Sequence, residues 1–338
     1  MRDVIISSVE AMETPPDAAR SEAVVEGGSA RAHARFQAEW PCLNTVEVRQ
    51  PSGPQMPDEI TVAAWNIERC KRVEDSAEAL NRAGADIVLA TEVDWGMARS
   101  SQRHTPRDLA AALGMGYAFG VEFVELGTGD AFETEDFAGM PNDHGLHGNA
   151  ILSRFPMTDV ALLPLDDGGY WYVQSPKGDG QHRVGGRMAM AARVGGVVFV
   201  AAHYESESDA EGRADQTRRL TRSLQDIYGD GPTVIGGDFN TRAFADLAIG
   251  AAATMENPAT TEPSFAVFAE AGFDWQEANA PGTTTRVPPR RVAQYPLKKL
   301  DWVLTRGVTA SDPRIWPAVS LSGVYLSDHE LLTVRISR

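Results

Sequence analysis

Beyond residue 58 the chain changes texture, and short apolar runs begin to alternate with amphipathic stretches. Runs such as VVFVAAH (197–203) and TVIGG (233–237) are too short for helices and rich in β-branched residues, so they read as buried strands. The same reasoning predicts strands at 60–64, 87–90, 117–124, 149–152, 188–194, 300–304 and 331–336. Helices are expected at 76–83, 107–113, 212–228 and 265–271. In the third of these, Leu220, Leu224 and Ile227 recur at helical spacing and make a stripe meant for a core. Strands outnumber helices, their order is mixed, and no period of 20–50 residues repeats. The pattern fits an α/β protein of two sheets with helices outside them, not a simple βαβ array. Residues 1–58 read as an N-terminal extension packed on or appended to a main domain over 59–338, with one amphipathic piece at 31–40.

Composition narrows the classes. With 338 residues, 43% hydrophobic and 23% charged, the chain can bury a substantial core and is not wholesale disordered. Two cysteines, Cys42 and Cys70, make no disulfide framework. No run of 18 apolar residues is present, and residues 1–20 lack the pattern of a secretory leader, so a soluble, cytoplasmic protein is expected. The 47 acidic residues against 31 basic ones give a net charge of −16, which opposes binding of bulk nucleic acid. One stretch runs the other way. Residues 281–300 hold Arg286, Arg290, Arg291, Lys298 and Lys299 with no acid, either as a solvated loop or as a face turned to an anion.

Several apolar strands stop abruptly at carboxylates, amides or histidines. Asn66 and Glu68 follow one strand, Glu92 another, His203 a third, Asp238 and Asn240 a fourth; Asp301 opens KLDWVL, and Asp328 and His329 precede the last strand. Charge at a buried strand end is costly unless it is paired or binds a cation. One such residue is an ordinary turn residue; six places of the kind imply a polar floor at one edge of a sheet pair. Its donors are mostly oxygens, which favours Mg²⁺ or Mn²⁺ over zinc. There is no HExxH pair, no GxSxG elbow, no phosphate-binding glycine loop and no dinucleotide fingerprint. Metal-assisted attack of water on phosphorus remains.

The set WNIE (65–68), ATE (90–92), HGNAILSRFP (147–156), AAHYE (201–205), GGDFN (236–240), KLDWVL (299–304) and SDH (327–329) resembles, in order and spacing, the endonuclease/exonuclease/phosphatase superfamily of DNase I-like hydrolases. The resemblance implies a four-layer α/β/β/α sandwich of two packed mixed sheets flanked by helices. It further implies Glu92 as the principal metal ligand, helped by Asn66 and, from an outer position, Asp328. Asp238 would orient or deprotonate the attacking water, and Asn240 would donate to the phosphate or hold that water. Asp301 would orient His329 and raise its pKa, and His203 would be a second phosphate-facing residue. Arg187 would contact phosphate and Asn149 would support the floor; apart from the resemblance, the basic stretch offers Lys298 and Lys299 to the substrate. The family often has Gln before the metal-binding glutamate; here Thr91 stands there.

Other residues carry two readings each. Glu68 and Asn149 either touch the site or support it by hydrogen bonds, and Glu205 either lies near the cleft or caps the next segment. The H-x-x-H pair His144 and His147 reads first as loop histidines and second as a metal site. Tyr170 and Trp171 are a rim or core packing. The stretch 126–146 holds Asp130, Glu133, Glu135, Asp136 and Asp143, and it would disfavour long polyanions if it borders the cleft. The leading function is a divalent-metal phosphohydrolase, a phosphodiesterase or nuclease, with nucleic acid a candidate partner. The alternatives are a hydrolase of a small or lipid-like phosphodiester or another ester, and a non-catalytic binding module of the same fold.

Overall fold

The structure, a computed structural model, describes residues 2–174, 182–246, 253–289 and 297–338. Fourteen strands are seen among these residues: β1 (Ser8–Val9), β2 (Val46–Arg49), β3 (Glu59–Arg69), β4 (Ile87–Trp95), β5 (Gly116–Glu125), β6 (Leu146–Ser153), β7 (Met157–Pro164), β8 (Arg183–Gly185), β9 (Met188–Val194), β10 (Val197–His203), β11 (Thr233–Asp238), β12 (Asp301–Arg306), β13 (Thr309–Trp316) and β14 (Leu331–Ser337). The larger sheet runs β1-β2-β5-β6-β4-β3-β14-β13, with β8 beside β5; the smaller runs β12-β11-β10-β9-β7.

Alternation along β10 shows why its sequence reads as one apolar run. Val197, Phe199 and Ala201 face the layer between the sheets, while Val198, Val200 and Ala202 face the helices beyond. Both faces are dry, so neither needs polar residues. The inter-sheet layer also takes Val62 and Ala64 from β3, Ile87 and Leu89 from β4, and Val234 and Val303 from the smaller sheet. Outside the larger sheet, Leu80 and Leu109 bring in the helices Val73–Arg82 and Thr105–Leu113. Outside the smaller sheet lie Ala210–Tyr228 and Ser264–Glu270, which completes four layers, α/β/β/α. The long helix starts where Asp209 accepts from the Gly212 N–H at 2.8 Å. Leu220 and Leu224 are buried as expected, but Ile227 is 41% exposed. Tyr228 takes the last inward place instead, its hydroxyl donating to the Asp159 carbonyl.

Residues ahead of β3 join the same sheet. β2 pairs antiparallel with β5, and Phe36, Trp40 and Leu43 enter the core on the outer face of the larger sheet. Glu47 anchors this segment: it accepts from the Tyr117 hydroxyl (2.5 Å), His104 Nε2 (3.0 Å) and the Met12 N–H (2.8 Å). Among the described residues no helix is long and apolar enough to cross a membrane.

Candidate active site

β10 and β11 are parallel and β12 is antiparallel to β11, so His203, Asp238 and Asp301 stand side by side in register at one end of the smaller sheet. Strand parity turns all three toward the inter-sheet layer, as it does Asn66 on β3. Gly236 lets the two sheets close up there, since a Cβ would meet the Ala64 Cβ at 2.8 Å. Asn66 Nδ2 then donates across the gap to Asp238 Oδ2 (3.2 Å) and to Glu92 Oε1 (3.0 Å).

Simple alternation along β4 would turn residue 91 inward and 92 outward. A register shift between Ala90 and Val93, with Glu92 at φ 59°, re-aims that carboxylate into the site. Asn240 also has positive φ (48°); its N–H donates to Asp238 Oδ1 at 2.8 Å and its amide to the Tyr204 carbonyl at 2.9 Å. Asn240 thus fixes Asp238 through the backbone.

Asp301 Oδ2 accepts from His329 Nδ1 at 2.8 Å, and His329 Nε2 lies 3.6 Å from Asp238 Oδ2. Burial opposes the charged ring, yet Asp301 and Asp238 outweigh it and hold the His329 pKa well above the ordinary value. Ser327 fixes the approach: its hydroxyl donates to the Asn66 carbonyl (2.7 Å) and accepts from the His329 N–H (3.0 Å). The second imidazole, His203, has Nε2 3.7 Å from Asp238 and 3.8 Å from Glu92. Its Nδ1 accepts from Arg187 Nη1 (2.9 Å) and lies 3.4 Å from Glu122 Oε2. Arg187 also donates to Glu122 (2.6 Å) and Glu205 (3.3 Å). Burial pushes the Glu122 carboxyl up, but Arg187 and His203 bring it down to about 2.

Glu92, Arg187, His203, Asp238, Asn240 and His329 line a cavity of about 370 Å³ that also takes Arg69, Arg183, Arg242, Arg286, Lys298 and Asp328. Asn66, Glu92, His203, Asp238, Asn240, Asp301 and His329 are therefore brought together, with Arg187 and Lys298 on the wall. Asn66 and Asp301 act from behind the lining, and two further expected residues also lie outside it. Lys299 is buried behind it, 4.4 Å over the Trp302 ring and aimed at the Ala280 carbonyl, with burial lowering its pKa to about 8. Adjacent residues on an extended backbone point opposite ways, so only one of the two lysines can face the cavity. Asn149 is fully buried and donates to the Met188 carbonyl (3.0 Å), holding the end of β9. His147 stands on β6, not in a loop, and is buried against Asp94 (2.7 Å), whereas His144 packs edge-on against Trp95, so the two histidines do not converge. Trp171 is core and Tyr170 is exposed. Arg290 and Arg291 lie outside the described residues.

A divalent cation can be tested against the donors present. The Glu68, Glu92 and Asp328 carboxylates crowd one side; burial and the two glutamates push Asp328 up to about 6, against His329 and Arg69. Crowded, oxygen-only donors of this kind suit a hard cation. Asn66 is placed differently from a ligand: its oxygen accepts from the Glu68 N–H (3.2 Å) and its NH₂ serves the carboxylates. Arg69 sits against Glu92 and 3.2 Å from Glu133; burial pushes the Glu92 carboxyl up, but Arg69, His203 and His147 hold it well below the usual carboxylate range. A second group, Asp238, Asp301 and His329, offers ligand atoms within 4.8 Å of one another, but there His329 Nδ1 is committed to Asp301.

Arg69, Glu122, Arg183 and Arg242 were not anticipated. Glu122 lies mid-strand in GVEFVE, where a polar residue reads as solvent-facing, and Arg69 closes a strand where a cation reads as surface. The only signal for Glu122 is its parity with Ala118, which faces the inter-sheet layer.

The family model for the Endonuclease/Exonuclease/phosphatase family matches residues 63–329. Among solved structures, the endonuclease/exonuclease/phosphatase from Beutenbergia cavernae DSM 12333 is 18% identical, covering 83% of this chain and 72% of its own, with a TM-score of 0.53. An AP endonuclease from Archaeoglobus fulgidus is 14% identical over 81% and 98% of the two chains, at TM-score 0.52. The mannosyl-6-phosphatase Bt3783 of Bacteroides thetaiotaomicron VPI-5482 is 16% identical over 82% and 100%, at 0.51. At these identities the likeness is one of fold. No curated protein matches the chain.

Proposed function

The chain belongs to the endonuclease/exonuclease/phosphatase family, whose members hydrolyse phosphoester bonds, and from that premise we propose that it is a divalent-metal-dependent phosphodiesterase or nuclease. The observation that carries the proposal is the register of His203, Asp238 and Asp301 across three strands, with His329 and Glu92 closing on Asp238 from the other sheet. Asp238 is held by the Asn240 N–H and by Asn66, so one carboxylate is fixed where it can orient a water and accept its proton. His329, kept protonated by Asp301, offers Nε2–H to an oxygen of the phosphoryl group as negative charge builds there. His203 and Arg187 present donors from the facing side, their orientation set by Glu122 and Glu205.

Glu92 and Asp328, with Glu68 beside them, would hold Mg²⁺ or Mn²⁺, and a bound cation would neutralise phosphate charge and polarise the ester. Lys298 and Arg286 on the wall would meet phosphate charge away from the reacting group. Hydrolysis of bis-p-nitrophenyl phosphate with Mg²⁺ or Mn²⁺, abolished by EDTA, is the expected result. No turnover with either ion would leave a binding module of the same fold.

A further inference from the structure

The catalytic cavity continues past Arg69, Asp328 and Pro288 into a second groove of about the same volume, 370 Å³, which those three residues also line. The two compartments differ in chemistry. Cations converge on the first, among them Arg187, Arg242, Arg286 and Lys298. The second is walled by Phe132, Phe137, Tyr325, Pro288 and Pro289, and its charged lining is acidic in balance: Glu68, Asp130, Glu133, Asp136 and Asp328 against Arg69 and Lys71. A phosphate is drawn to the first compartment, and a second phosphate is repelled by the other.

The aromatic wall is positioned, not loose. Asp130 and Glu133 form a reciprocal cap on the helix Ala131–Asp136, and Glu133 is pinned beneath by Arg99 (2.8 Å) and Arg69 (3.2 Å). That helix holds Phe132 at the groove, 47% exposed. Tyr325 is fixed opposite by donating its hydroxyl to Glu68 at 2.6 Å. The volume is that of a small-molecule subsite, at the low end of the roughly 300–1,000 Å³ usual for ligand pockets.

Building on the phosphoesterase reading, we propose that this groove is the subsite for the alcohol part of the ester. It takes an uncharged, ring-bearing group, so the substrate class is a small phosphodiester and not a polynucleotide. Continuity with the phosphate compartment fixes what the occupant is joined to, and the carboxylates exclude a second phosphate on that side.

The test compares inhibition by phenylphosphonate and methylphosphonate of wild-type hydrolysis of bis-p-nitrophenyl phosphate. Phenylphosphonate should bind about tenfold more tightly, the effect of burying one ring. The preference should collapse in Phe132→Ala and return in Phe132→Leu. A wild-type enzyme that hydrolyses the diester but shows no preference, or keeps it in Phe132→Ala, overturns the groove assignment alone. Faster turnover of a single-stranded oligonucleotide than of the diester would also overturn it. Absence of any hydrolysis with Mg²⁺ or Mn²⁺ defeats the underlying phosphoesterase reading instead.

Discussion

The floor of the cleft and its rim are built by different means. Floor residues stand on strand ends, are buried, and are held by several fixed partners: Asp238 alone is approached by Asn240, Asn66, His203 and His329. Rim residues come from connecting segments and are partly exposed. Arg286 pairs with Glu330 at 2.8 Å while 30% exposed, and Leu297 and Phe132 are about half exposed. A rigid, desolvated floor can act on any phosphoryl group placed over it. Discrimination among esters falls to the rim, whose contacts are individually weak.

Variants can break or sharpen that division. The largest effect is expected for Asp238→Asn, a loss in kcat of about a thousandfold or more on every ester alike, with the melting temperature little changed. Loss confined to one substrate would move Asp238 to the rim. His329→Ala should approach that loss, and adding Asp301→Asn should cost little more, because the two form one hydrogen-bonded unit; additive losses would separate them. Arg187→Met leaves Glu122 and Glu205 buried without their cation, so denaturant titration should show a destabilisation of roughly 3–5 kcal/mol.

Glu47 provides a control far from the chemistry. Burial pushes its carboxyl up, but His104, Tyr117 and the Met12 N–H hold it at about 2 against the usual 4.5. A depressed carboxylate stabilises the fold above its unfolded pKa and loses that contribution as pH falls through the folded one. Stability should therefore decline between about pH 4.5 and 2, by on the order of 3 kcal/mol from this residue. Glu47→Gln should flatten that part of the curve without altering kcat at neutral pH. The smallest effect belongs to the rim: Lys298→Ala should weaken oligonucleotide binding a few-fold and lower its salt dependence by about one phosphate contact, leaving a small diester unaffected. Equal weakening of both would place Lys298 at the reacting phosphate.

The chain pattern by itself determined nine of the fourteen strands, the four helices predicted from it and most of the floor, because both signals are local. A strand buried on both faces must be apolar along its length, and a charge at its end stands out for the desolvation it costs. β7 and β13 escaped notice for a local reason too: Asp159 at φ 47° and Asp312 at φ 50°, each beside a register shift, interrupt the alternation of MTDVALLP and TASDPRIW. Tertiary structure decided the rest. The bulge at Glu92 reverses what alternation implies, the neighbours Lys298 and Lys299 part to opposite sides, and Glu122 becomes a site residue only when the second sheet covers it. Asn66 and Asp238 meet at 3.2 Å across 172 positions of chain. Side-chain period and the cost of buried charge act over a few residues, whereas which strand ends face each other is set by pairing and sheet packing between distant segments.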